Sequence, residues 1–414
     1  MTLKIAHMSD LHYSAGNLQE ADRCFTAAVT EALNTNVDCV IITGDTTDHA
    51  LDAHAPATRA LAAQIKRLSD HCPVLMLQGT FSHEPPGFLR LLALVGGKYP
   101  VTVADRIGSF GLSADAFVPM QDGGSYRLVV HALPTLNKAA IAALVDNRVD
   151  EAAVHARQII SGVLERWGPV NDALRQRGIP SMVISHGTVF NSISESGVPM
   201  AGTDHELGLG SLFAAKADGV ALGHIHKQQS WEQETLGFHQ VVAYAGSIGR
   251  FHHGEIGDKY WLLWSLDAAG ALLKTCPTPS RRNVDLVYEG APDLDDLRQR
   301  ISECEGAFVR IRYCIDEESR QNVDRAAIRS ILEKAADVQI EGKTLTVQRQ
   351  RAQGISTQPL GEKLATWAKV TETDGVDALR ARLELIQSQP VDEVVQEVLK
   401  LAPVQTLAPP ELIS

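Results

Sequence analysis

Ala217-Asp218-Gly219-Val220-Ala221-Leu222-Gly223-His224-Ile225-His226 is an apolar run of strand length that ends in two imidazoles one residue apart. Four other stretches repeat the arrangement. Leu3-Lys4-Ile5-Ala6-His7-Met8 leads into Asp10-Leu11-His12, and Asp38-Cys39-Val40-Ile41-Ile42-Thr43 leads into Gly44-Asp45. Pro73-Val74-Leu75-Met76-Leu77 is followed by Ser82-His83-Glu84, and Met182-Val183-Ile184-Ser185 by His186. Each alone has an ordinary explanation. Asp and His are common in loops after strands, Gly-Asp is a turn signal, and an isolated histidine is more often satisfied locally than bound to a metal. Five strand-length runs that all end in Asp or His need more than that. They gather ligands from distant positions onto one rim of a sheet. Carboxylates and imidazoles without cysteine favour Mn, Fe or Zn in a two-metal hydrolytic centre.

Taken in order, Asp10-x-His12, Gly44-Asp45, Ser82-His83-Glu84, His186 and Gly223-His224-x-His226 resemble the motifs of the calcineurin-like metallophosphoesterases. Residues 217–227 look like the SbcD-type DNA-repair nucleases within that family. So do Tyr244-Ala245-Gly246-Ser247-Ile248-Gly249-Arg250-Phe251, Gly254-Glu255, Lys259-Tyr260, and Ser185-His186-Gly187 with Ser192-Ile193-Ser194-Glu195-Ser196. The resemblance covers about residues 1–275 well and the remainder in outline. It implies that Asp10, His12 and His226 hold a first metal, that Asp45 bridges to a second, and that His186 and His224 complete the second. His83 would sit just outside the metals and protonate the leaving oxygen or stabilise the phosphoryl charge. Asp48, Ser247 and Arg250 are the candidate substrate contacts. The residue types suit the chemistry, because a bridging carboxylate keeps two cations about 3.5–4 Å apart and a histidine can act as acid near neutral pH. One departure matters. The family's third motif reads Gly-Asn-His-Asp/Glu, with the Asn oxygen on the second metal, whereas this chain reads Gly79-Thr80-Phe81-Ser82-His83-Glu84. Thr80 matches the Asn when counted from the glycine, and Ser82 when counted back from the histidine. A hydroxyl is a poorer ligand than an amide carbonyl, so the second metal is expected to bind more weakly.

The 414 residues are long enough for two or three domains. An apolar content of 44% and a mean hydropathy of -0.06 fit a soluble globular protein. No apolar run approaches the ~18 residues needed to span a bilayer. The chain enters a ligand-bearing strand at Leu3, so no signal peptide and no membrane association are expected. Cys24, Cys39, Cys72, Cys276, Cys304 and Cys314 are scattered without a C-x-x-C pair and read as reduced thiols, which points to the cytoplasm. The net charge of -12 is awkward for a protein that tracks phosphates unaided. Bound cations would reverse the local field but not that of a long footprint. The grip must come from a basic partner or from local groups such as Lys227, Arg250, Arg281, Arg282 and Gln348-Arg349-Gln350-Arg351.

Apolar residues at three- and four-residue spacing predict helices over 18–34, 56–69 and 154–177. Strands are expected over 239–245, 259–266 and 270–275, the last two joined as a hairpin through Asp267-Ala268-Ala269-Gly270. Ligands at strand ends, helices outside and later antiparallel strands predict an α/β fold with two sheets face to face. The resemblance implies a four-layer α/β/β/α sandwich. Cys276-Pro277-Thr278-Pro279-Ser280 reads as a boundary between a catalytic domain, 1–276, and a small α+β cap, 281–350. The cap is expected to run strand 283–288, helix 294–304, strand 307–314, helix 326–335 and strand 345–348. From 359 to 414 the pattern is helical, over 360–370, 375–386 and 391–401. Leu379, Leu383 and Ile386, then Val394, Val395, Val398 and Leu399, make apolar faces suited to docking or to packing on the cap.

The expected function is a two-metal phosphodiesterase that hydrolyses DNA, an exonuclease subunit of an SbcCD-like repair complex, with Mn the first choice of metal and Mg, Fe or Zn the alternatives. The resemblance implies an SbcC-like coiled-coil ATPase partner on the C-terminal helices; a homodimer stays open. The competing readings are a small-molecule phosphodiesterase or phosphatase, and a scaffold of the same fold with weakened chemistry.

Overall fold

The computed structural model describes residues 2–136, 149–200, 205–235, 238–267, 269–345 and 357–401. By its contacts the chain forms two compact units, Met1–Ile315 with Ser319–Lys343, and Asp316–Glu318 with Thr344–Ser414.

Thirteen described strands of the first unit make one sheet. Its first half runs Val101–Ala104, Val74–Leu77, Cys39–Ile42, Leu3–Met8, all parallel, and ends on the antiparallel hairpin Tyr260–Asp267 and Gly270–Pro277. The second half runs Phe238–Tyr244, Gly219–Gly223, Ser181–His186, Leu128–Leu133, again parallel, and closes with Gly108–Leu112 and Phe117–Pro119. Only His239 opposite Gly270 joins the two halves among the described pairs. Two parallel blocks can therefore face one another instead of lying flat.

The side-chain alternation shows how. Leu3 and Ile5 point into a core they share with Met182, Ile184, Ala221 and Ala243 of the other half. Ala6 and Met8, one step out of phase, point the other way into a core with Phe25 and Leu61. In the second half Val183, Val220 and Leu222 face a third core with Ile160, Leu164 and Leu212. Strands buried on both faces read as unbroken apolar runs, which is why the five ligand-bearing stretches stood out.

The outer cores are covered by helices that follow their spacing. Leu18–Thr35 buries Ala21, Cys24, Phe25, Ala28, Val29 and Ala32, and stops at Asn36 in the left-handed region. Pro56–Ser69 starts with its proline in the first turn, where the missing N–H costs nothing. Val149–Gln176 begins earlier than periodicity predicts and carries Pro169 inside it.

A three-stranded sheet of Asn283–Glu289, Phe308–Asp316 and Asp337–Leu345 has its own core of Val284, Leu286, Val309 and Ile311 against Leu297 and Ile328. Two expectations fail here. The helix 294–304 breaks at Arg300 into Leu294–Gln299 and Ile301–Cys304. The last strand begins earlier than expected, at Asp337, and is described as far as Leu345; residues 346–350, with most of the expected strand 345–348, lie outside the described residues, as do Arg349 and Arg351. The three C-terminal helices are Leu360–Val370, Val376–Ser388 and Val391–Leu401. All six cysteines are free. No described helix is long and apolar enough to cross a membrane.

Candidate metal centre

Four of the parallel strands deliver a candidate ligand at or just past their C-terminal ends. Leu3–Met8 leads to Asp10, Cys39–Ile42 to Asp45, Ser181–His186 ends on His186, and Gly219–Gly223 leads to His224. The turns are sharp. Asp10, His12, Asp45 and His224 adopt φ of 50°, 46°, 50° and 99°, a region that residues with a Cβ rarely enter. The amides of Asp10, His12 and Tyr13 donate to the carbonyls of Gly44, Asp45 and Thr46, zipping the first two loops together. Strain held by such cross-bonds is typical of functional sites, and here four of the strained residues are candidate ligands.

The side chains converge into two groups, Asp10 with His12 and His226, and Asp45 with His186 and His224, each with its ligand atoms within 4.8 Å of one another. In the first, His12 Nε2 lies 2.9 Å from His226 Nε2, while Asp10 accepts from the His224 amide at 3.1 Å and from Ser9 Oγ at 2.5 Å. In the second, His186 Nε2 is 3.2 Å from Asp45 Oδ2. The opposite ring nitrogen, Nδ1, lies 2.7 Å from the Thr43 carbonyl, which can only accept, so Nδ1 carries the proton. Burial alone would lift the Asp45 carboxyl, but His186, His12 and His83 outweigh it and hold it well below the usual range. Burial would lower His186, and Asp45 overrides it and raises it. Burial takes His224 down to about 4, with the His186 charge in support. A carboxylate held ionised by its neighbours, a neutral imidazole at His224 and a proton on His186 standing where a cation would balance the charge all fit divalent metals. Asp10, His12 and His226 would hold one, His186 and His224 the other, and Asp45 would lie between. When bound, such ions activate water and neutralise phosphoryl oxygens.

His83 sits at the rim, with Nδ1 3.4 Å from Asp45 Oδ2 and its ring 5.0 Å from that of His12. Burial lowers its pKa, with the Asp45 charge pulling the other way. Thr80 and Ser82 part company. Thr80 donates its amide to Asp45 Oδ1 at 2.7 Å and its hydroxyl lies 3.2 Å from both Asp45 Oδ2 and His186 Nε2, whereas Ser82 is exposed.

Of the candidate substrate contacts, Asp48 reaches the centre, its Oδ1 3.5 Å from His12 Nδ1. Ser247 and Arg250 do not present free polar groups to it. Ser247 Oγ donates to the Gly249 carbonyl and accepts from Lys259. The Arg250 guanidinium is buried and donates to the carbonyls of Arg281 and Gly257, which fastens the loop. Arg281 likewise is held by Glu20.

Sequence reasoning gave no role to the residues that hold the ligands. Glu84 is fully buried, accepts from the Thr46 amide and hydroxyl at 2.6 Å and from the Gly79 amide at 2.7 Å, and so pins the second loop to the third. Burial and the neighbouring Asp45 charge push it up to about 7. The motif contained Glu84; what was missing was a signal that it faces inward.

The model of the calcineurin-like phosphoesterase family matches residues 3–228. No curated protein matches the chain. Among solved structures, it is similar to a dimetal phosphatase from Danio rerio, at 11% identity and a TM-score of 0.41, over 66% of this chain and 98% of that one. The match covers more than half of the chain, so the chain belongs to the calcineurin-like phosphoesterases, hydrolases of phosphoester bonds that depend on two metals.

Proposed function

We propose that the protein is a two-metal phosphodiesterase that hydrolyses DNA, working as the nuclease subunit of an SbcCD-like repair complex. The observation that carries the hydrolase part is the pair of adjoining His/Asp groups with His83 beside Asp45. In this reading the layers of helix, sheet, sheet and helix form the family's four-layer sandwich, with the unit around Val284 and Ile311 as its cap. Asp10, His12, His226, Asp45, His186 and His224 hold the metals, Mn foremost. His83 gives the leaving oxygen its proton, Asp48 orients His12 or the substrate, and Thr80 stands where the family has Asn.

The choice of DNA rests on the resemblance of the 217–260 region to SbcD-type nucleases, together with a cap and a helical tail in the same order. The tail is the proposed docking element for a coiled-coil ATPase, and the cytoplasm is the compartment this assigns. A second reading is favoured by one specific observation. Arg250 is bonded to the Arg281 and Gly257 carbonyls and Arg281 to Glu20, in a chain of net charge -12, which suits a small phosphodiester or phosphomonoester better than an unaided DNA strand.

The deciding experiment compares single- and double-stranded DNA, an aryl phosphodiester and an aryl phosphomonoester as substrates with Mn or Mg. Cleavage of DNA and of the aryl diester is expected, and neither should survive in Asp45→Asn. Turnover of the monoester alone would replace the nuclease reading with a phosphatase. Metal binding without any turnover would favour the scaffold.

A further inference from the structure

Glu255 and Lys259 form an ion pair at 2.6 Å with side chains 0% and 2% exposed, directly behind the ligand His226. A pair so completely removed from water is poor evidence for stability, because desolvation offsets most of the attraction. Its position suggests another task. Lys259 Nζ holds Glu255 Oε2, and also donates to the His226 carbonyl at 3.0 Å and to Ser247 Oγ at 2.8 Å. The Ser247 amide donates to the same His226 carbonyl at 3.1 Å. The backbone of His226 is thus clamped twice, and Glu255 Oε1 is left to face its ring, 3.6 Å from Nδ1. That nitrogen is buried with no hydrogen-bond partner, while Nε2 is turned toward His12.

The two metal groups are backed differently. His186 of the second group rests its Nδ1 on a neutral carbonyl, Thr43. His226 of the first group faces a carboxylate. A carboxylate behind a ligating histidine fixes the tautomer, orients the ring and makes the ligand nitrogen more basic. Glu255 is in turn held from outside the catalytic sheet, since Asn283 Nδ2 donates to its carbonyl at 2.7 Å and the His252 amide donates to Oε1 at 3.1 Å. Asn283 opens the strand Asn283–Glu289 of the small sheet.

We infer that Glu255, locked by Lys259, is the positioning residue for His226, so that the Asp10–His12–His226 group is the tighter metal site and is mechanically tied to the small three-stranded sheet through Asn283. This rests on the two-metal reading of the centre.

The test is stepwise Mn titration by calorimetry on the full-length protein, alongside the thermal midpoint of the metal-free form. In Glu255→Gln the tighter Mn equivalent should weaken about 10–100-fold, the range seen when such outer partners are removed, with the weaker equivalent within twofold of wild type. The double variant Glu255→Gln with Lys259→Met removes both buried charges together, should fold even if the single variant does not, and should show the same selective loss. Asn283→Ala, which cuts only the bond to the Glu255 carbonyl, should weaken the same equivalent by less. Unchanged binding, or equal weakening of both equivalents with a lowered midpoint, would reduce Glu255 to a structural role and overturn the inference. A wild-type chain that takes up no Mn would instead overturn the metal centre itself.

Discussion

Asp45 faces His186 at 3.2 Å and His83 at 3.4 Å, and Thr80 bonds to both of its oxygens. One carboxylate thus touches a ligand, the candidate acid and the residue that departs from the family's motif. His83 and Thr80 should separate cleanly in experiment. His83→Ala should keep two metals per chain by elemental analysis yet lose about 10²–10⁴ in rate, the usual worth of a general acid. Metal lost in parallel with activity would make His83 a ligand. Thr80 offers a neutral hydroxyl at the mouth of the second group, so that metal should need excess ion to bind. Thr80→Asn places an amide oxygen within reach and should tighten the weaker equivalent in a calorimetric titration, while Ser82→Asn, at an exposed position, should change nothing. Two equally tight equivalents, indifferent to Thr80→Asn, would mean that another group completes the site.

The strand-end loops hold these residues by close backbone approach. A Cβ on Gly223 would come 2.1 Å from the Thr43 carbonyl and 2.8 Å from His186 Nδ1, the two partners of one hydrogen bond. Gly223→Ala must therefore displace His186 or the strand beside it, and we expect loss of the second metal ahead of loss of the fold. A variant with both metals bound at wild-type strength would show that the Thr43–His186 contact is not needed. What was legible in the sequence follows from the same geometry. Strands buried on both faces are continuous apolar runs, so the abrupt change to Asp or His at each end was visible in one dimension, and the helices over 18–35 and 56–69 kept a plain three-to-four spacing. Partnerships that depend on which loops meet were not legible. Glu84 reaching back to Thr46, Glu255 backing His226, and Arg250 turned onto carbonyls all join segments far apart or hidden by a turn. Counting from a motif could not choose between Thr80 and Ser82; the loop after Leu77 does so by turning Thr80 inward. The strand Asp337–Leu345 was missed because its exposed positions alternate weakly, with only Val338 buried along it.

At the scale of the whole molecule the charge of -12 and the helical tail belong to one argument. All six of the Asp and His residues proposed as metal ligands lie in the first compact unit, so hydrolysis of a small diester should need nothing beyond it. The helices Leu360–Val370, Val376–Ser388 and Val391–Leu401 fall in the other compact unit and leave Leu360, Trp367, Val370, Ile386, Val391 and Val395 exposed. Helices of about ten residues are marginal in water without a surface to bury against. A partner that covers these side chains would offset that weakness, and a DNA-binding partner would also bring positive charge to a chain of net charge -12. Deleting residues 359–414 is therefore expected to leave aryl phosphodiester hydrolysis and both metals unchanged, and to abolish co-purification with a coiled-coil ATPase of the SbcC kind together with processive DNA degradation. Retention of that ATPase by the truncated chain at full-length affinity would remove the tail from the interface. A truncated chain that no longer folds would show instead that the helices pack on their own protein.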